Sequence, residues 1–227
     1  MTLKKYVLPL LILIMGLLYI FIIPSEPVSI KILFKLIPMW LIIFYAFRQF
    51  PTQAKSTHWI LFLGLIFCMF GDFLIQWWFV YGLAAFLIGH LFYLTGFFKN
   101  WSFSIIRFAM IIPIAVYAFI FSKRLLASII QDGNSELFFP VLAYVIIISL
   151  MAWSAIMTGD KWAMIGSILF VISDSILSWN MFVSDIPYSN ALIMSTYYTA
   201  QFFIASSIRT LSSKDTLSST KYGVVKS

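Results

Sequence analysis

Residues 64–77 read GLIFCMFGDFLIQW, and residues 166–179 read GSILFVISDSILSW. Each is an apolar run with one aspartate set in it, Asp72 in the first and Asp174 in the second. Each has a glycine eight residues before the acid and a tryptophan five residues after it, and the two acids lie 102 positions apart. An apolar helix has little tolerance for a carboxylate, so its recurrence at one place in two similar runs decides how the rest of the chain is read.

Working outward, the 227 residues are 62% hydrophobic and only 10% charged. A soluble domain carries about 25% charged residues, so this is a membrane chain. A membrane helix needs roughly 20 apolar residues. Eight such runs are present, at about 6–23, 31–47, 58–77, 82–98, 104–121, 138–157, 162–181 and 190–208. The first has Lys4 and Lys5 ahead of it, as a signal peptide would, but it is long and no small-x-small cleavage site follows. It reads as a true span. The expected fold is an all-α integral membrane bundle, one domain over residues 1–209, followed by a flexible polar tail over 210–227.

Charge sets the topology. With the N-terminus cytoplasmic, the inner side holds Lys4, Lys5, Arg48, Lys55, Lys99, Arg107, Lys161, Arg209, Lys214, Lys221 and Lys226. The outer side holds only Lys31, Lys35, Lys123 and Arg124, so both termini are expected in the cytoplasm. The net charge of +7 is then a topology signal and points to no nucleic-acid partner. Short loops and the absence of a eukaryotic sorting signal point to a bacterial inner membrane. Cys68 is the single cysteine, and His58 and His90 are far apart in sequence, so neither an intrachain disulfide nor a metal centre is expected.

The 102-residue offset also lays Pro38 on Pro140, Gly64 on Gly166 and Trp77 on Trp179. Farther on the register drifts by about six residues, so that His90 and Tyr93 answer to Tyr198 and Gln201. These observations predict a tandem duplication of four spans plus four, with halves of about 1–103 and 104–209. An even number of spans gives the halves the same orientation, a parallel repeat. Asp72 and Asp174 then lie at the same depth, past the middle toward the outer face. His90, Tyr93, Tyr197, Tyr198 and Gln201 fall near the midplane.

Of the eight acidic residues, only Asp72 and Asp174 are embedded. Burying a charge at mid-helix costs at least about 2.5–3.5 kcal/mol, whereas an interhelical hydrogen bond returns about 0.6 kcal/mol. Structural adhesion alone is therefore a poor explanation for the pair, and function is the better one. Gln76 and Asn180 lie outward of the acids, where a polar ligand would meet them. Lys35 is about one turn inside the outer end of span two. Snorkelling to the interface is its ordinary role, and contact with a lipid phosphate is the sharper alternative. The glycines are read as points of close helix approach.

At these residues the chain resembles the YhhN-like family, whose members include the lysoplasmalogenases. The resembling segments are KLIP (35–38), GLIFCMFGDFL (64–74), GLAAFLIGHLFY (82–93), GSILFVISDSIL (166–177) and TYYTAQ (196–201). Two departures stand out: Leu36 follows Lys35 where the family tends to have proline, and Ser167 follows Gly166 where it tends to have alanine. The resemblance implies an eight-helix membrane enzyme that hydrolyses the vinyl ether bond of a lysoplasmalogen, releasing a fatty aldehyde and glycerophosphoethanolamine or glycerophosphocholine.

That chemistry suits the residues. Protonation of the vinyl ether β-carbon gives an oxocarbenium ion, water adds to it, and the hemiacetal collapses to aldehyde and alcohol. No cofactor is needed, only one carboxyl that carries a proton and one carboxylate nearby. Two acids in one low-dielectric site provide such a pair. Asp72 and Asp174 are the expected catalytic residues. His90, Tyr93, Tyr197, Tyr198 and Gln201 are expected to line the cavity, with Gln76, Asn180 and Lys35 at its mouth. A proton-coupled transporter of lipids or small molecules stands as the alternative, because midplane carboxylates and parallel repeats also suit a carrier. A third possibility is a lipid-binding or scaffolding membrane protein whose acids only hold the bundle together.

Overall fold

The computed structural model describes residues 3–223, with side chains described over 6–211. All regular structure among the described residues is helical: α1 (Leu3–Phe21), α2 (Val28–Arg48), α3 (Ser56–Leu74), α4 (Phe79–Phe98), α5 (Ile105–Ala109), α6 (Ile111–Gln131), α7 (Phe138–Met157), α8 (Lys161–Phe182) and α9 (Ser189–Gly223), with one short 3-10 turn at Ser135–Leu137. The chain is thus an all-α membrane protein. Among the described residues, six segments are long and apolar enough to cross a bilayer: Val28–Arg48, Ser56–Leu74, Phe79–Phe98, Ile105–Gln131, Ser135–Met157 and Lys161–Phe182. The apolar part of α1, Tyr6–Phe21, is shorter. α9 carries Tyr197, Tyr198, Gln201, Ser206 and Ser207 within its apolar part, which lowers its hydropathy.

Two boundaries differ from the sequence expectation. The fifth span was expected to end near residue 121, leaving Lys123 and Arg124 in an outer loop. It runs instead from Ile105 to Gln131, and both cations lie on an exposed face of α6. No helix breaker intervenes before Asp132 and Gly133, and Gly133 takes the positive φ of 77° that ends the segment. The break between α5 and α6 falls at Met110, where Pro113 lacks the N–H for a bond to residue 109 and its ring crowds that carbonyl. At the other end, the tail expected from residue 210 is helical as far as Gly223, and residues 224–227 lie outside the described residues. The side chains of Lys4, Lys5, Lys214, Lys221 and Lys226, which the charge count uses, also lie outside them.

The packing is ordered by small residues. α3 lies along α4, and α8 along α9, as the two most extensive helix pairs. α2 packs on α3 and α9, while α7 packs on α8 and α4. A Cβ on Gly64 would run into the Tyr93 ring and come 3.2 Å from Gly89 O. A Cβ on Gly166 would come 2.9 Å from Ala200 O. Each glycine thus lets one aspartate-bearing helix approach its neighbour closely. Gly64→Val is expected to destabilise the protein by about 1–3 kcal/mol, since a packed core does not absorb added methyls without strain. Thermal unfolding in detergent measures it, and an unchanged midpoint would contradict the close α3–α4 contact.

The α7–α8 connection shows how the sequence fixes one such turn. Gly159 has φ 64° and a Cβ there would strike the Arg107 guanidinium. Asp160 then caps α8, its Oδ1 accepting from Trp162 N and Ala163 N at 3.0 Å each. The main core joins α1, α2, α3, α4, α7, α8 and α9. A smaller cluster of Leu125, Leu126, Ile129 and Val141 seats α6 on α7.

Candidate active site

Asp72 sits two residues before the end of α3, 2% exposed, enclosed by α2, α3 and α9. Lys35 Nζ is 3.1 Å from its Oδ1 and donates to its backbone carbonyl at 3.3 Å. Tyr197 OH donates to its Oδ2 at 2.5 Å. Tyr198 OH donates to Lys35 O at 2.8 Å, tying α9 to the turn of α2 that carries the lysine. Lys35 was expected to snorkel outward, and it does not. Its ammonium turns inward because a carboxylate is within reach, and two charges paired with hydrogen bonds in a dry interior cost less than either alone. Asp72 is therefore a charge-compensated carboxylate.

Asp174 is built differently. It lies on α8, partly buried, and Tyr144 of α7 donates to its Oδ2. Among the described residues no hydrogen bond reaches its Oδ1 and no cation stands beside it. At the same 102-residue offset that relates the two acids, the positions of Lys35 and Leu36 are taken by Leu137 and Phe138. Asp174 opens onto an apolar cleft between α4, α6, α7 and α8, whose walls include Leu83, Phe86, Phe121, Ile148 and Met181. Ser175 and Ser178 are among the few polar side chains there. Tyr117 OH holds Ser175 at 2.7 Å, and Ser178 Oγ donates back to Asp174 O at 2.7 Å.

Between the two acids lies a fully buried polar and aromatic layer. Tyr93 OH donates to Gln201 Oε1 at 2.6 Å. The His90 ring stands edge-on to Phe170 and Tyr144, with centroids 4.6 and 5.2 Å away. Phe170 is edge-on to Tyr197 at 5.4 Å, and Phe86 to Tyr197 at 6.1 Å. His90 Nδ1 and Nε2 and Gln201 Nε2 have no hydrogen-bond partner among the described residues, although both residues are wholly enclosed. Buried polar atoms are nearly always satisfied, and leaving one unmade costs about 1–3 kcal/mol. Exceptions gathered in one layer mark a place built to meet something polar.

Seven sequence-derived site residues, Asp72, Lys35, His90, Tyr93, Tyr197, Tyr198 and Gln201, are thus gathered in the interior, and Asp174 borders it from the cleft. No hydrogen bond joins the two carboxyls directly. Gln76 and Asn180 are not gathered with the rest. Gln76 is exposed in the turn after α3. Asn180 Oδ1 accepts from Ile186 N at 2.9 Å and so clamps the α8–α9 loop. Tyr144, the partner of Asp174, was not foreseen: in FFPVLAYVIIISL (138–150) a tyrosine looks like one more apolar residue. Its signal was that it and Ser149 are the only polar side chains in that run.

A model of the YhhN family matches residues 30–208, from the first turn of α2 into α9. The chain belongs to the YhhN family. Curated relatives include lysoplasmalogenase TMEM86B of Mus musculus, 29% identical over 182 residues that cover 79% of this chain and 76% of that protein. Lysoplasmalogenase TMEM86A of Bos taurus is 30% identical over 200 residues, covering 80% and 79%. Lysoplasmalogenase TMEM86A of Homo sapiens is 30% identical over 207 residues, with the same shares. No solved structure matches the chain. For this YhhN-family member, the family match takes in every residue of the interior layer and leaves out α1.

Proposed function

We propose that this YhhN-family protein is an intramembrane lysoplasmalogenase that hydrolyses the vinyl ether of a lysoplasmalogen with two aspartates in unequal roles. The observation that carries the assignment is the contrast between the acids: Asp72 is paired with Lys35, while Asp174 faces an apolar cleft with only Tyr144 on it. An ion uncompensated against hydrocarbon is costly, so Asp174 is the acid suited to arrive carrying a proton on its free Oδ1. It delivers that proton to the β-carbon of the vinyl ether. The C=C electron pair forms the new C–H bond, and the adjacent carbon becomes an oxocarbenium ion.

Water then adds to that carbon, and its proton returns to the Asp174 carboxylate. The hemiacetal collapses to fatty aldehyde and the glycerol hydroxyl of the lyso headgroup. Asp72 stays ionised throughout and contributes a fixed negative charge behind Tyr197, countering the developing cation at longer range. His90 and Gln201 supply the unpartnered donor and acceptor atoms that suit the hydrolytic water. In this reading the reactive end of the lipid enters the cleft, which has about 60 Å³ of free space, and the rest of its chain stays among the apolar helices. Similar packing of α2–α4 and α7–α9 supports the duplication as the origin of the two acids. The short loops support a bacterial inner membrane.

Deuterium tests the proton step. In D2O, aldehyde released by the purified protein should carry one deuterium on the carbon next to the carbonyl, beyond the label gained by aldehyde incubated alone. Aldehyde without that label excludes β-carbon protonation. Tyr144→Phe removes the hydrogen bond that orients Asp174 and is expected to slow aldehyde release about tenfold or more, since Asp174 becomes a carboxylate as it gives up its proton and a bond to a charged group is worth about 1.5–3 kcal/mol. Steady-state turnover measures it, and an unchanged rate would sink the orienting role of Tyr144. Uptake of lipid into proteoliposomes with no aldehyde formed would favour the transporter instead.

A further inference from the structure

α1 leans on α2 and α9 without closing against α9, and a long groove is left between α1 and α9. Its inner stretch, about 310 Å³, is apolar along Ile12, Gly16 and Ile20 and ends at Ser195, Tyr198 and Thr199. Pro9 and Phe202 line this stretch and also a wider stretch of about 510 Å³ at the end of the bundle where α2 finishes. There the walls carry Arg48 and Arg209 together with Tyr45, Gln49 and Trp162. No carboxylate lines either stretch, and neither guanidinium has an ion-pair partner among the described residues. Two guanidiniums with no ion-pair partner among the described residues thus open onto a continuous slot that turns hydrocarbon-like with depth.

We propose that this groove binds an anionic phospholipid, with the phosphate on Arg48 and Arg209 and one acyl chain along Ile12, Gly16 and Ile20 toward Tyr198. Guanidinium matches phosphate geometry in paired hydrogen bonds, and basic pockets between membrane helices suit anionic headgroups. Two cations with no acid to balance them among the described residues favour a headgroup of net negative charge over a zwitterionic one. The volume of the two stretches is that of a ligand site and exceeds a packing gap.

This lipid is not the hydrolysed one. Arg48 lies thirteen residues from Lys35 on α2, about 20 Å at 1.5 Å per residue. A vinyl ether sits only a few bonds from its own phosphate, so a headgroup held at Arg48 keeps that bond far from Asp72. The far end of the groove nevertheless touches the catalytic framework. Tyr198 lines it, packs edge-on against Tyr19 at 6.2 Å, and donates to Lys35 O. Occupancy therefore braces α1 and α9 around the helix that carries Lys35.

The test uses the purified full chain in detergent, titrated with dioleoylphosphatidylglycerol or dioleoylphosphatidylcholine while thermal unfolding is followed. The anionic lipid is expected to raise Tm by about 3–5 °C more than the zwitterionic one. Arg48→Gln/Arg209→Gln should lose most of that difference. Gly16→Phe should lose it too with both arginines intact, because its Cβ meets only Tyr198 at 3.5 Å and the ring fills the slot. Lys55→Gln/Lys99→Gln, which neutralises two cations at the same end but outside the groove, should keep it. Three outcomes overturn the proposal: no preference for the anionic lipid in the unaltered protein, the same preference in Gly16→Phe, or equal loss in the lysine pair, which would make it general surface charge. A dimer in detergent that Gly16→Phe dissociates would also overturn it, by showing that a second copy fills the groove.

Discussion

Asp174→Asn is expected to lower aldehyde release from a lysoplasmalogen by about 10²–10⁴-fold, the usual worth of a positioned general acid. The substitution is nearly isosteric. Tyr144 can still donate to the amide oxygen, so the α7–α8 contact survives and Tm should move little. The neutral amide binds lipid in the apolar cleft as well as a protonated acid does, so KM should stay close to its original value while kcat collapses. That split separates a chemical role from a binding role. Asp174→Glu keeps the proton but displaces it by one methylene, and an intermediate rate is expected. A kcat near the original for Asp174→Asn would remove Asp174 from the chemistry.

Lys35→Met is expected to be the most destabilising single change, about 3–5 kcal/mol, because it leaves the Asp72 carboxylate enclosed and uncompensated. The lysine side chain is itself only 14% exposed, and its ammonium reaches both Oδ1 and the backbone carbonyl of Asp72. The diagnostic outcome is rescue. Lys35→Met/Asp72→Asn removes both charges, and most of the lost stability should return, with an interaction energy far from zero in the double-mutant cycle. The rescued protein should still be slow, since the fixed negative charge behind Tyr197 is gone. A lysine that merely snorkels would give Lys35→Met a change within about 0.5 kcal/mol and leave nothing to rescue.

The features legible in the sequence were those that hydrocarbon makes expensive. Asp72 and Asp174 announced themselves because a carboxylate in an apolar run needs a reason. The same logic gathered His90, Tyr93, Tyr197, Tyr198 and Gln201. The glycines were legible as contact points, and Gly64 and Gly166 lie where α3 meets α4 and α8 meets α9. What the residues could not disclose was direction. Lys35 one turn inside a helix end looks the same whether it reaches out to lipid headgroups or in to a carboxylate 37 residues later.

Asn180 and Gln76 were hard to place for a related reason. A polar residue near a helix end fits a binding mouth and a loop clamp equally well, and only the position of Ile186 N decides for Asn180. Tyr144 was hidden by its own hydrophobicity, as its ring suits a lipid-facing helix and only its hydroxyl carries the information. The length of α6 was misjudged because Lys123 and Arg124 look like a loop, whereas long cationic side chains on an exposed helix face extend to the interface without ending the helix. The two acids looked equivalent in sequence. Their difference is tertiary, since one is met by a lysine from α2 and the other by a tyrosine from α7.

The most direct measurement is to incubate the purified protein in detergent with a lysoplasmalogen and, in a parallel sample, with the acyl lysolipid of the same headgroup and chain length. Fatty aldehyde from the first and no fatty acid from the second is the expected result. Fatty acid from the ester, or neither product from either lipid, would contradict vinyl ether hydrolysis as the work of this site.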